Sequence, residues 1–133
     1  CSFDDIKDTI TNGRTSIMPV MGKILGSEDS INEVANYVLY LSNSSYDKDV
    51  YLKGELKFKG ICSVCHGLDG KGNKVIGAPD LTRWIRIYGN DLKSIKDTIR
   101  NGRIGVMPSH KDILSKEEIH LLTAFIYSLN KKS

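Results

Sequence analysis

Apolar residues recur at helical spacing in two separate stretches of the chain. Ile31, Val34, Ala35, Val38 and Leu41 fall on one face of a helix, and Ile119, Leu122, Phe125, Ile126 and Leu129 fall on one face of another. Ser115 and Glu118 form an S-x-x-E capping box that predicts where the second helix starts. Each stretch follows a nearly identical phrase: "IKDTITNGRTSIMP" at 6–19 and "IKDTIRNGRIGVMP" at 95–108. With one early gap, "ILGSEDSINEVANYVLYLSN" at 24–43 lines up with "ILSKEEIHLLTAFIYSLN" at 113–130. Each repeat therefore predicts a short helix, an Asn-Gly-Arg turn, a Met-Pro loop and an amphipathic helix.

Between the repeats the pattern changes. The polar, turn-rich "SNSSYDKD" at 42–49 reads as a linker. A helix over about 47–62 should follow and lead into "CSVCH" at 62–66. The Gly-rich stretch "HGLDGKGNKVIGAPD" at 66–80 lacks apolar periodicity and predicts an Ω-type loop. "LTRWIRIYGN" at 81–90 suggests a short helix ended by Gly89, and Asp91 is placed to cap the helix after it. No strand is expected. The predicted fold is all-α, with a partial helical domain over 1–46 and a complete domain over 47–133. The longest apolar runs, such as "YVLYL" at 37–41, are too short to span a bilayer.

Charge adds an asymmetry. The formal net charge is +3, but residues 1–46 carry three Lys/Arg against six Asp/Glu, net −3, and residues 47–133 carry sixteen against ten, net +6. The cations are scattered, with no basic helix or aromatic platform, which argues against nucleic-acid binding. A face bearing Lys71, Lys74 and Lys111 instead suits an acidic protein partner; ordinary solvated charge is the alternative.

The motif that carries chemistry occurs once. Cys62-Ser63-Val64-Cys65-His66 is C-x-x-C-H, the attachment signature of c-type haem. Two Cys three apart at a helix end reach the two vinyl groups on one porphyrin edge, and the next residue, His66, sits under the iron as axial ligand. A thioredoxin-like dithiol would need a preceding strand and a βαβ pattern, which the sequence lacks. A zinc site would need further ligands, and no second C-x-x-C or paired His is present.

With that motif in place, residues 50–130 resemble a class I cytochrome c. Gly54 and Phe58 stand where that family's first helix packs closely on its last, with Leu122 and Phe125 as the corresponding partners. "GAPDL" at 77–81 resembles the loop whose Pro carbonyl accepts a hydrogen bond from the axial His, which implies that Pro79 orients His66. Met107 stands at the family's sixth-ligand position, stiffened by Pro108; His110 and His120 are the other donors nearby, both read as surface residues. Arg103 is a candidate for a haem propionate, and Trp84 and Tyr88 are candidates for lining the haem pocket or for ordinary packing.

The resemblance implies one haem c per chain with His/Met ligation, an electron-transfer protein rather than an enzyme, and a periplasmic location. The doubled "NGR…MP" loops further resemble the later part of the dihaem subunit of cbb3-type cytochrome oxidases, which implies other oxidase subunits as partners. On that reading residues 1–46 are the end of a first haem domain, and Met18 is a second, idle sixth-ligand position. Two alternatives stay open: a standalone monohaem shuttle, and a haem-based catalyst or gas sensor with an open sixth site. Cys1 is left over as an odd cysteine.

Overall fold

The computed structural model describes residues 2–84 and 86–130. Its elements run α1 (Phe3–Asn12), β1 (Arg14–Met18), α2 (Gly22–Leu25), α3 (Glu28–Leu41) and α4 (Tyr51–Lys57). A π-helical turn (Phe58–Cys62) then leads into α5 (Ser63–His66), α6 (Leu92–Asn101), β2 (Arg103–Met107) and α7 (Lys116–Asn130). The chain forms two compact units. One combines the segment up to Thr15 with the segment from Gly105 onward; the other is Ser16–Ile104. These units do not follow the 46/47 boundary that the sequence suggests. Cys1 lies outside the described residues.

In the Ser16–Ile104 unit the core is the stripe of α3. Ile31, Val34, Ala35 and Val38 are buried and pack with Phe58, Ile95 and Ile99. Ser27 caps the helix by accepting from the Ser30 amide at 3.1 Å. Helix α3 lies against both α4 and α6. Its crossing with α4 is so close that a Cβ at Gly54 would overlap the Glu33 carbonyl oxygen. Phe58, fully buried, meets the Tyr37 ring at 5.1 Å between centroids. On the other side, Arg100 of α6 donates to both Glu28 carboxylate oxygens at 2.7 Å.

The segment expected as a linker is instead a tight turn between α3 and α4. Ser42 and Ser44 are buried and share a 2.8 Å hydrogen bond, and the Asp47 amide donates to Asn36 Oδ1 at 2.8 Å. A short connection makes antiparallel docking of neighbouring helices entropically cheap. The helix expected over 81–90 is absent among the described residues there, which form turns. A side chain captures the backbone instead: Asn90 accepts from the Arg86 amide at 2.9 Å, an amide that a helix would have bonded to the Thr82 carbonyl.

The smaller unit packs α1 on α7, burying Ile10, Ile119 and Thr123. Phe3 of α1 sets its ring against His120 at 5.2 Å and Tyr127 at 5.9 Å. The capping box of α7 is present in both directions, with Ser115 N donating to Glu118 Oε2 at 2.8 Å and Glu118 N to Ser115 Oγ at 3.1 Å.

The fold is mostly helical rather than all-α, because β1 and β2 pair as a two-stranded sheet. The chain passes between the two units within these strands. Neither five-residue stretch has the length or alternation to predict a strand alone; the strands exist because the two copies of the phrase meet each other. The copies also exchange their loop contacts. A Cβ on Gly102, of the second copy, would overlap the Met18 carbonyl of the first; one on Gly13 would overlap the Met107 carbonyl. The hydrogen bonds repeat the exchange: Met21 N donates to Ile99 O at 3.1 Å, and His110 N donates to Ile10 O at 3.0 Å.

Candidate haem-attachment site

The helical segment running from α4 through the π turn into α5 presents the C-x-x-C-H residues in sequence. The π turn shifts the helical phase just before the motif, and α5 ends at Gly67, whose φ of +77° closes the helix at His66. Cys62 is partly buried and Cys65 exposed, and no disulfide joins them. Burial pushes the Cys62 thiol up to about 11, and the neighbouring Cys65 adds to the shift.

His66 is 9% exposed. Its Nδ1 lies 3.2 Å from the Pro79 carbonyl oxygen. A carbonyl only accepts, so Nδ1 carries the proton and Nε2 keeps a free lone pair. Burial lowers the His66 pKa and the Pro79 contact opposes that shift only in part. A neutral imidazole with Nε2 available is the form that ligates a metal. The loop that supplies Pro79 is tied down beside it. Gly72 N donates to His66 O at 2.8 Å, and Leu81 N donates to Gly70 O at 2.7 Å.

The donor set fits a covalently held haem. Two thiols stand on one helix end and one buried imidazole follows them, its Nδ1 on the Pro79 carbonyl. Among the described residues no three His, Cys, Asp or Glu side chains group as a metal site, so an iron here would need a porphyrin to complete its coordination. The surrounding segment also fits. Val64, Leu68, Val75, Ile76 and Ile87 present large apolar side chains to solvent, Val75 at 93% and Ile87 at 94% exposure, which suits a broad apolar group.

The remaining expected residues fall in different places. Pro79 stands at His66, as above. Tyr88 lies under Arg103, whose guanidinium carbon is 4.6 Å from the ring centroid, while Arg103 Nε donates to Thr98 Oγ1 at 3.1 Å. Trp84 is 59% exposed and lines a cleft with Asn36, Tyr46 and Asn90 that includes none of the C-x-x-C-H residues. Met107 belongs to the smaller unit together with His110 and His120. Leu122 and Phe125 belong there too and are exposed; Gly54 and Phe58 meet Glu33, Val34 and Tyr37 of α3 instead. Lys71 and Lys74 are exposed in the larger unit and Lys111 in the smaller.

Two further residues of the larger unit bear on the site: Met18, which the sequence reading places as an idle ligand position, and Arg86, which it did not single out. Met18 shares the unit of His66 and packs against the core cluster, as Cys62 also does. Two residues before it, Ser16 lies against Gly77 of the loop that carries Pro79. The second is Arg86, whose guanidinium is held by the Leu81 carbonyl at 3.1 Å and the Val38 carbonyl at 3.2 Å. The only sequence signal for Met18 was the repeat itself, which offers two equivalent methionines.

Comparison with known proteins agrees with this chemistry. The family described as "Cytochrome C oxidase, cbb3-type, subunit III" matches residues 50–126. The cbb3-type cytochrome c oxidase subunit CcoP of Rubrivivax gelatinosus is 38% identical over 132 residues, 99% of this chain and 43% of that protein. Subunit FixP of Azorhizobium caulinodans is 40% identical over 93% of this chain and 45% of its own length. Subunit CcoP of Cereibacter sphaeroides is 32% identical over 96% and 47% respectively. The chain thus spans less than half the length of these relatives. From the motif, the geometry at His66 and these matches together, the chain belongs to the family of cbb3-type cytochrome c oxidase subunit III.

Proposed function

We propose that the chain transfers electrons through one haem c as part of a cbb3-type terminal oxidase, on the periplasmic side of the membrane. The observation that carries this reading is the buried His66 with Nδ1 on the Pro79 carbonyl, next to two unbridged cysteines. Cys62 and Cys65 would hold the porphyrin through thioethers, and His66 would supply one axial nitrogen. When bound, the haem supplies a one-electron Fe(III)/Fe(II) couple. The chain's own contribution is to fix the His66 ring, keep its tautomer, and bring apolar cover over the porphyrin.

The sixth ligand on this reading is a methionine sulfur, which raises the potential and leaves no open coordination position. Met107 is that ligand by its place in the contiguous stretch after the motif. Met18 is the second reading, favoured because its loop shares the compact unit of His66. Pyridine haemochrome should give one haem per chain, and zero would overturn the assignment. The oxidised protein should show the absorption band of Met–iron ligation, and the reduced protein should ignore CO; a CO-sensitive spectrum would favour an open-site catalyst or sensor. Met107→Ala abolishes that band if Met107 ligates, and Met18→Ala abolishes it if the shared unit decides.

Partners follow from charge. The Lys-bearing surface suits an acidic redox partner, with Lys71 and Lys74 exposed, and the remaining oxidase subunits are the proposed acceptor assembly. No described helix is long and apolar enough to cross a membrane.

A further inference from the structure

An unbroken series of aromatic rings in the larger unit ends at His66. Phe58 lies 6.5 Å from the His66 ring between centroids, and Tyr37 lies 5.1 Å from Phe58. Tyr40 stacks on Tyr37 at 5.8 Å, one turn further along α3. At the outer end Tyr40, Tyr46 and Tyr51 close a triangle, with pairs at 5.3, 4.9 and 4.8 Å. These are contact separations for aromatic rings. The series runs from solvent into the core: Tyr40 is 41% exposed, Tyr37 is 4% exposed and Phe58 is fully buried.

Packing explains the rings but not the phenols at the exposed end. A phenol gives up one electron when it also loses its proton. Electron tunnelling weakens steeply with the gap between groups, so touching rings make a favoured route through the fold. A phenoxyl radical is a far stronger oxidant than an Fe(III) haem, so electrons on this route run outward, toward tyrosine. We propose, on the haem reading above, that Tyr40, Tyr46 and Tyr51 form a site that intercepts one-electron oxidants such as peroxyl radicals. Tyr37 and Phe58 link that site to His66 for re-reduction. First, the oxidant takes one electron from a cluster phenol, whose proton passes to water. Then one electron from the Fe(II) state refills the phenoxyl, which takes back a proton and leaves Fe(III). Where Fe(II) is lacking, two phenoxyls join instead through one C–C bond as dityrosine, each ring carbon's hydrogen passing to its phenol oxygen.

The test uses the holoprotein and begins with its haem content. A chain without covalent haem would end the haem reading and remove the electron donor with it; failure in haem-loaded protein overturns the tyrosine site alone. Azide radicals from pulse radiolysis supply the oxidant. In Fe(II) protein the haem absorption should report a first-order, intramolecular oxidation after the pulse. Tyr37→Phe should slow that phase severalfold, and combining Tyr40→Phe, Tyr46→Phe and Tyr51→Phe should remove most of its amplitude. Equal rates and amplitudes in wild type and both variants would overturn the proposal. The unmodified protein gives an independent readout by mass spectrometry. Repeated pulses should leave dityrosine among Tyr40, Tyr46 and Tyr51 in Fe(III) protein and severalfold less in Fe(II) protein. Equal yields in the two states, or cross-links confined to other tyrosines, would overturn it.

Discussion

At the residue scale, two contacts to backbone carbonyls set the local geometry. His66 is fixed through the Pro79 oxygen, and Gly54 through the absence of a side chain next to the Glu33 carbonyl. Backbone cannot rotate aside as a flexible side chain does, so Gly54→Ala must separate α3 from α4. The expected cost is about 1–3 kcal/mol, typical of overpacking a close contact, read as a lower urea midpoint with an unchanged slope. An unchanged midpoint would mean the helices do not cross this closely. The sequence was informative here, since "YLKGELKFKGICSVCH" marks a close approach at Gly54 and an aromatic at Phe58. It did not reveal the partner. Both residues meet α3, which shares their compact unit and carries one of two similar apolar stripes.

At the element scale, caps and stripes were legible, and their fates were not. Asp91 caps α6 by accepting from Ser94 N at 2.9 Å, and the Ser115/Glu118 box starts α7. Yet the α3 stripe is buried, whereas Phe125 of the α7 stripe is 62% exposed. The α3–α6 contact adds a charged clamp. Hydrogen bonding to Arg100 holds the Glu28 carboxyl below its ordinary range; Lys93, then Arg100, does the same for Asp97. Carboxylates depressed in the folded state add stability that is present above about pH 4 and fades as they protonate below it. Arg100→Gln should therefore shrink the difference in urea midpoint between about pH 7 and about pH 3. An undiminished difference would show that the clamp is absent in solution. The failed helix at 81–90 belongs to this scale too: Asn90 takes the Arg86 amide, which a helix would have bonded to the Thr82 carbonyl.

For the whole molecule, the decisive feature is the exchange between two copies of one phrase. Gly102 abuts the Met18 carbonyl, Gly13 abuts the Met107 carbonyl, and both glycines sit at positive φ, +67° and +73°. A side chain at either is strained by its backbone as well as by the contact. Gly102→Ala should accelerate hydrogen exchange at the Met21 amide, which bonds Ile99, and spare the His110 amide, which bonds Ile10. Gly13→Ala should do the reverse. The opposite pairing would mean that each copy closes on itself. The family match over 50–126 is contiguous in sequence, while the compact units divide at 104/105, so on the proposed haem reading the methionine variants also report which copy of the loop supplies the sixth ligand.

The amino-acid sequence by itself determined what depends on neighbours along the chain. The C-x-x-C-H spacing, the His66–Pro79 interval, the capping boxes, the apolar stripes and the glycine at the helix crossing all follow from local spacing and side-chain chemistry. Tertiary structure decided which copy of a repeated element occupies which place. Two phrases as alike as 6–19 and 95–108 have nearly equal local energies, so nothing local distinguishes Met18 from Met107 or α3 from α7. The short 42–50 connection makes α3 the cheaper neighbour for α4 through loop closure. The same tertiary choice created the two strands and left Arg86 a fixed cation without a counter-charge among the described residues.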